Sequence, residues 1–261
     1  MANTRIGIYN FLTVEAALLK NGTGGGAPAL IETAPYVMSN LLNGDRSSLW
    51  KTSVLSSAST YNVDFDLGAT VQFDAMGMLG YRLATGIGPQ IDMYYQTGAY
   101  TPAGAWTLFS QIFPEGRDLG VVTTIPVTAR SARFKITPVA ASESFSLGSF
   151  FVGDIEDLGG IHSPGGLRNP FQNRLETPML NGSFVITRLG DDGQTWTMPW
   201  NSIKPATRSI LNIVQGRRGT VLLVDAEDNW SEVFLRGGGL SEGRTGGPDV
   251  FDINIELVRM P

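Results

Sequence analysis

NLLNGDRSSLWKTS, residues 40–53, is the stretch on which the reading of this chain turns. Asn43, Gly44, Asp45 and the following serines are turn formers. Asn and Asp bond nearby backbone groups, and Gly takes unusual backbone angles at no steric cost. The turn runs straight into Trp50, a ring large enough to dominate a core. Such a turn is either a binding site or a corner of the fold.

The residues that follow read as strands. NVDFDLG (62–68) alternates, so Val63, Phe65 and Leu67 share one face and Asp64 and Asp66 the other. The expectation is a core face backed by a solvent face. A carboxylate pair on one face can do acid–base chemistry where its environment splits the two pKa values. The alternation alone points to solvation instead. Further strands are expected at 75–84, 90–98, 105–113, 121–127, 132–139 and 145–155. Turn residues separate them at short spacing, which is the sandwich pattern and not the βαβ one.

Outside this run the chain changes character. TVEAALLK (13–20) has good helix formers with Thr13 as a cap, and NGTGGGAP (21–28) breaks regular structure. The triple glycine is no phosphate loop, since no Lys-Ser/Thr and no helix follow it. Residues 156–174 are rich in Gly and Pro and read as a connecting loop. A second β-rich segment comes next, with a turn at DDG (191–193), a helical patch over 207–219, a hairpin around AEDN (226–229) and an alternating closing strand, 250–260.

Composition narrows the function classes. Charged residues are only 16% of the 261, against a typical ~25%, while 42% are hydrophobic and 32 are Gly. That is a turn-rich β protein with uncharged polar surface, some of it suited to cover by partner subunits. The formal charge is −5 with no basic block, which argues against nucleic-acid binding. The absence of cysteine excludes disulfides and thiolate chemistry. No signal peptide and no membrane span is read, so folding in a cytoplasm is the expectation.

Catalytic constellations are thin. His162 is the only histidine, and a triad, zinc site or His base would all depend on it. Asp225, Glu227 and Asp228 offer carboxylate oxygens but lack EF-hand spacing, and a turn explains them. No GxSxG, HExxH or P-loop occurs. The five tryptophans (50, 106, 196, 200, 230) read as core or interface before they read as sugar platforms. No catalytic residue and no cofactor is assigned.

Two resemblances follow from these motifs. The Asn-Gly-Asp turn before Trp50, the strand ending Asp-Leu-Gly, GMLGYRLA, IDMYYQTG, AWTLFS, ARSARFKITP and SLGSFFVGDI resemble, in that order, a discoidin-type (F5/8 type C) galactose-binding-like jelly roll over 36–155. That resemblance implies a polar loop at one end of the sandwich, anchored to the core by Trp50 and fixed by Asn43 and Asp45, where relatives hold a sugar or a structural calcium. Asp45 is the position carried over for calcium, and Asn43, Asp45, Arg46, Trp50 and Arg82 form the glycan or partner loop. No His or Arg pair aimed at a galactose is evident. The segment 170–261 resembles the tail-tube-like sandwich of phage tail proteins, in which a helix packs on the sheets and subunits close into rings.

Together they imply a mostly β chain: an N-terminal arm with a helix (1–35), a jelly roll (36–155), a linker (156–174) and a second sandwich with one packed helix (175–261). The implied role is a virion structural protein at a distal tail or baseplate. It would be assembled in the host cytoplasm as a ring-forming hexamer or trimer, with other tail proteins and host glycan as partners. The alternative is a soluble carbohydrate-binding module. A glycoside hydrolase accessory or lyase needs two carboxylates facing a cleft, which the sequence does not place.

Overall fold

The computed structural model describes residues 5–7, 9–14, 18–21, 38–42, 49–52, 55, 60–85, 88–114, 118–140, 143–157, 161–162, 167–171, 174–178, 184–188, 193–203, 209, 212–213, 221–224, 230–244 and 251–259. The chain is mostly β. It forms two compact units: Gly7–Ile155, and Met1–Ile6 with Glu156–Pro261.

The second of these builds an eight-stranded sheet from both ends of the chain. Its strands are β1 (Arg5–Gly7), β11 (Ile155–Asp157), β12 (Ile161–His162), β13 (Leu167–Phe171), β16 (Gly193–Ile203), β17 (Val221–Val224), β18 (Trp230–Arg244) and β19 (Phe251–Arg259), in the order β11-β1-β17-β18-β19-β16-β12, with β13 also on β16. The N-terminal strand therefore lies between β11 and β17, and the whole of the other unit is spliced into the sequence between β1 and β11. The expected hairpin around 226–229 joins β17 to β18, with Val224 opposite Trp230. The closing strand is β19. The DDG turn does not make a hairpin: β14 (Arg174–Pro178) pairs with β15 (Phe184–Arg188), whereas β16 pairs with β19. The stretch 156–174, read as a connecting loop, carries β12 and β13, because pairing with β16 satisfies backbone that its Gly and Pro content only weakens. Helical geometry in 207–219 is described at Ser209, Asn212 and Ile213, all exposed.

The unit Gly7–Ile155 is a sandwich. Its six-stranded sheet has the order β10-β4-β8-β6-β7, with β2 also on β4: β2 (Leu18–Asn21), β4 (Tyr61–Leu79), β6 (Gln90–Gln96), β7 (Thr107–Ile112), β8 (Leu119–Thr137) and β10 (Ser149–Gly153). Leu18–Asn21 is a strand where a helix over 13–20 was expected; a helical turn, α1, covers Phe11–Val14. Leu19 packs on the core from that strand, and such burial overrides a weak helix propensity. The segment 1–35 thus contributes β1 to one unit and β2 to the other. Strands expected in pairs, at 62–68 with 75–84 and at 121–127 with 132–139, fuse into the 19-residue β4 and β8, bent at bulges near Asp66–Val71 and Phe73–Ala75.

Facing this sheet is a three-stranded one in the order β3-β9-β5: β3 (Trp50–Lys51), β9 (Ser144–Leu147) and β5 (Arg82–Thr85). Between them lies an aromatic core. Phe134 stacks on Phe150 at 3.9 Å, Phe65 meets both edge-on, and Trp50 meets Phe145 edge-on at 5.6 Å. Val63, Phe65 and Leu67 are buried on one face of β4, as the alternation requires. Asn10 closes the entry of the chain: its Nδ2 donates to Phe150 O, and Val152 N donates to its Oδ1.

Candidate functional site

Trp50 was expected to anchor the loop of the 40–53 stretch to the core. Trp50 is 0% exposed and sits in the core cluster. Asn40, on the short turn Met38–Leu42, donates through Nδ2 to Leu49 O, one residue before that ring. Thr52 doubles the link to β9: its Oγ1 donates to Phe145 O and accepts from Phe145 N. The loop residues themselves, Asn43, Asp45 and Arg46, lie outside the described residues, so Asp45 as a calcium position receives no structural account.

Arg82, which nothing in the sequence tied to Trp50, is on the same small sheet. Lys51 and Arg82 are both opposite Ser146, on either side of the central strand. Directly opposed residues point to the same side of a sheet. Lys51, Ser146 and Arg82 therefore make one outward row, with both cations exposed, while Trp50, Phe145 and Leu147 point inward.

Two buried carboxylates support this end from below. Asp118 Oδ1 accepts from Gly80 N at 2.6 Å and Tyr81 N at 3.2 Å, holding the turn that leads into β5. Gly80 adopts φ +68°, and an added Cβ would meet the Gly148 backbone at 3.2 Å, so only glycine suits that turn. Glu143, fully buried, accepts from Val139 N and Ala140 N. The Trp50 Nε1–H and Tyr81 O–H are buried and find no hydrogen-bond partner among the described residues. Burial, and then the Glu143 charge, push the Tyr81 phenol well above the usual range.

The outer face of the six-stranded sheet carries a different arrangement, one the sequence did not disclose. Asp64, expected in solvent, is 0% exposed. Arg133 grips it with two bonds of 2.7 Å and lies 4.1 Å over the Trp106 ring. Tyr100 donates to Asp64 Oδ2 at 3.0 Å, and burial, then the Asp64 charge, hold its phenol above the usual range. Gln96 exchanges bonds with Thr101, and Arg133 also donates to Pro102 O. The segment 97–106 is thereby clamped across the sheet and covers Asp64. Along the same strand Arg130 pairs with Asp66 at 3.5 Å and Lys135 with Asp92 at 3.7 Å. Asp92 also accepts from Gln90 and Gln111. This is a closed set of contacts: its charges satisfy one another and hold the loop.

The remaining candidates separate. His162 lies on β12 opposite Trp200, and its side chain lies outside the described residues. So do Asp191, Asp192, Asp225, Glu227 and Asp228. Trp230 is buried, and the Trp196 and Trp200 side chains are not among those described. Among the described residues no three His, Cys, Asp or Glu side chains gather as metal ligands, and no helix is long and apolar enough to cross a membrane.

No family model and no curated protein matches the chain. Among solved structures it is similar to chitosan-binding module 1 of a chitosanase/glucanase from Paenibacillus sp. IK-5, at 16% identity over 55% of this chain and 98% of that one, with a TM-score of 0.42. It is also similar to CBM32-1 of a family 31 glycoside hydrolase from Clostridium perfringens, at 11% identity over 54% and 96%, TM-score 0.41. A third likeness is to a GH29 fucosidase from Ruminococcus gnavus, at 17% identity over 56% of this chain and 26% of the fucosidase, TM-score 0.40.

Proposed function

We propose that Gly7–Ile155 is a non-catalytic glycan-recognition module whose ligand lies against the end rooted by Trp50. The observation that carries this is the row Lys51, Ser146 and Arg82, its two cations exposed, on the sheet that Trp50 anchors to the core. Hydroxyl-rich ligands are held by fixed donors and acceptors on a rigid base, and this end supplies donors whose backbone is pinned by Thr52, Asp118 and Glu143. The resemblance to discoidin-type domains over 36–155 points to the same end.

Ring assembly within a phage tail drew on the resemblance over 170–261. Most side chains there lie outside the described residues, and no observation favours assembly over recognition. The test of recognition is a glycan array probed with the full chain, followed by the variants Asp45→Ala, Arg46→Ala and Arg82→Ala. Binding that each variant weakens, with the melting temperature of Arg82→Ala unchanged, is the expected result. An array without hits removes the proposal.

A further inference from the structure

Resting on that reading, we propose that the glycan is acidic and that its carboxylate or sulfate is read by the outer face of the three-stranded sheet, with Arg82 as the principal contact.

The argument begins with register. Strands lie about 4.8 Å apart, so the outer Cα atoms of the row Lys51, Ser146, Arg82 stand roughly 10 Å apart, across a hydroxyl. The long Arg82 side chain can reach an anionic group seated over Ser146. A guanidinium presents parallel N–H donors that match the two oxygens of a carboxylate or sulfate.

The second step is what the rest of the sandwich does with its cations. The chain has 24 acidic and 19 basic residues, so a carboxylate partner is the ordinary fate of a cation here. All three cations of β8 follow it: Arg130 with Asp66, Arg133 with Asp64, Lys135 with Asp92. Arg82 has no carboxylate partner among the described residues. Two buried carboxylates adjoin this sheet, Asp118 at the turn into β5 and Glu143 just before β9, and both accept backbone N–H groups. The arginine is thus exposed on its strand and meets no carboxylate among the described residues.

The test uses the full chain and four immobilised polymers: heparin for sulfate, polygalacturonate for sugar carboxylate, neutral dextran, and polyglutamate as a non-sugar polyanion. The expected result is retention on heparin or polygalacturonate but not on dextran or polyglutamate. That retention should weaken as salt rises to about 0.5 M, where the Debye length falls to a few Å. Arg82→Ala should reduce retention roughly tenfold or more and Arg82→Glu should abolish it, a loss of one charge-assisted contact or more. Lys135→Ala, on the other sheet, should leave it unchanged. Whichever of heparin and polygalacturonate is retained identifies the anion. Equal retention on dextran, equal retention on polyglutamate, or full retention by Arg82→Ala overturns the acidic-glycan inference while leaving glycan recognition standing. No retention on any sugar polymer, together with a blank array, removes the recognition reading itself.

Discussion

The two outer faces of the sandwich use charge in opposite ways. On the six-stranded sheet the β8 cations meet carboxylates of neighbouring strands, and the central pair, Arg133 with Asp64, is 11% and 0% exposed. On the three-stranded sheet Arg82 stands in solvent beside Ser146, with the neighbouring carboxylates turned to backbone donors. A paired buried charge fixes structure, because removing one partner strands the other in a low dielectric. A cation left facing water contributes little to stability and remains available to an outside anion. The difference separates the part of the molecule that holds shape from the part that can recognise.

The contrast is open to measurement, and its largest effect lies on the closed face. Arg133→Ala leaves Asp64 buried and unpaired and removes the group under Trp106; a loss of about 3–5 kcal/mol is expected in denaturant unfolding. A loss below about 1 kcal/mol would mean the pair is not the clamp described. Tyr100→Phe removes one hydrogen bond to the same carboxylate and should cost about 1–3 kcal/mol.

Tyr100 also offers a pH reading. Its folded pKa is raised above the unfolded value of about 10. Its contribution is therefore complete below pH ~10 and is lost as pH climbs through the folded value. Tyr81 and Tyr100 should titrate above the ordinary tyrosine range when tyrosinate absorbance is followed. Tyr100→Phe should remove one late-titrating group and flatten the alkaline fall in stability. Smallest is Lys135→Ala. Lys135 is 37% exposed and its pair with Asp92 is long, so well under 1 kcal/mol is expected in the same unfolding measurement. A larger loss would make the outer pairs a cooperative network instead of one clamp with peripheral ions.

The error over Asp64 shows where local reading stops. Alternation along 62–68 correctly placed Val63, Phe65 and Leu67 inward, and it correctly put Asp64 on the opposite side. Being on the opposite side meant solvent only if nothing lay above. Arg133, 69 residues away, and the loop bearing Tyr100 and Trp106 cover it. No period in the sequence carries that information. The fusion of expected strand pairs into β4 and β8 has a similar origin: turn-forming residues within them make bulges, since cross-strand pairing continues on both sides. The Trp50 anchor was legible through the resemblance of the 40–53 turn to discoidin-type domains, and Trp50 is fully buried.

Taken alone, the sequence determined the β character of the chain and the inward and outward faces of its strands. These follow from backbone geometry and side-chain size over a few residues. Only the tertiary structure decided that β1 joins a sheet of C-terminal strands, that Asp64 is buried under a clamped loop, and that Lys51 and Arg82 flank Ser146 in one row. Each of those depends on register between segments distant in the chain. Long-range pairing sets register through the burial of whole faces, a quantity that no short stretch of residues contains.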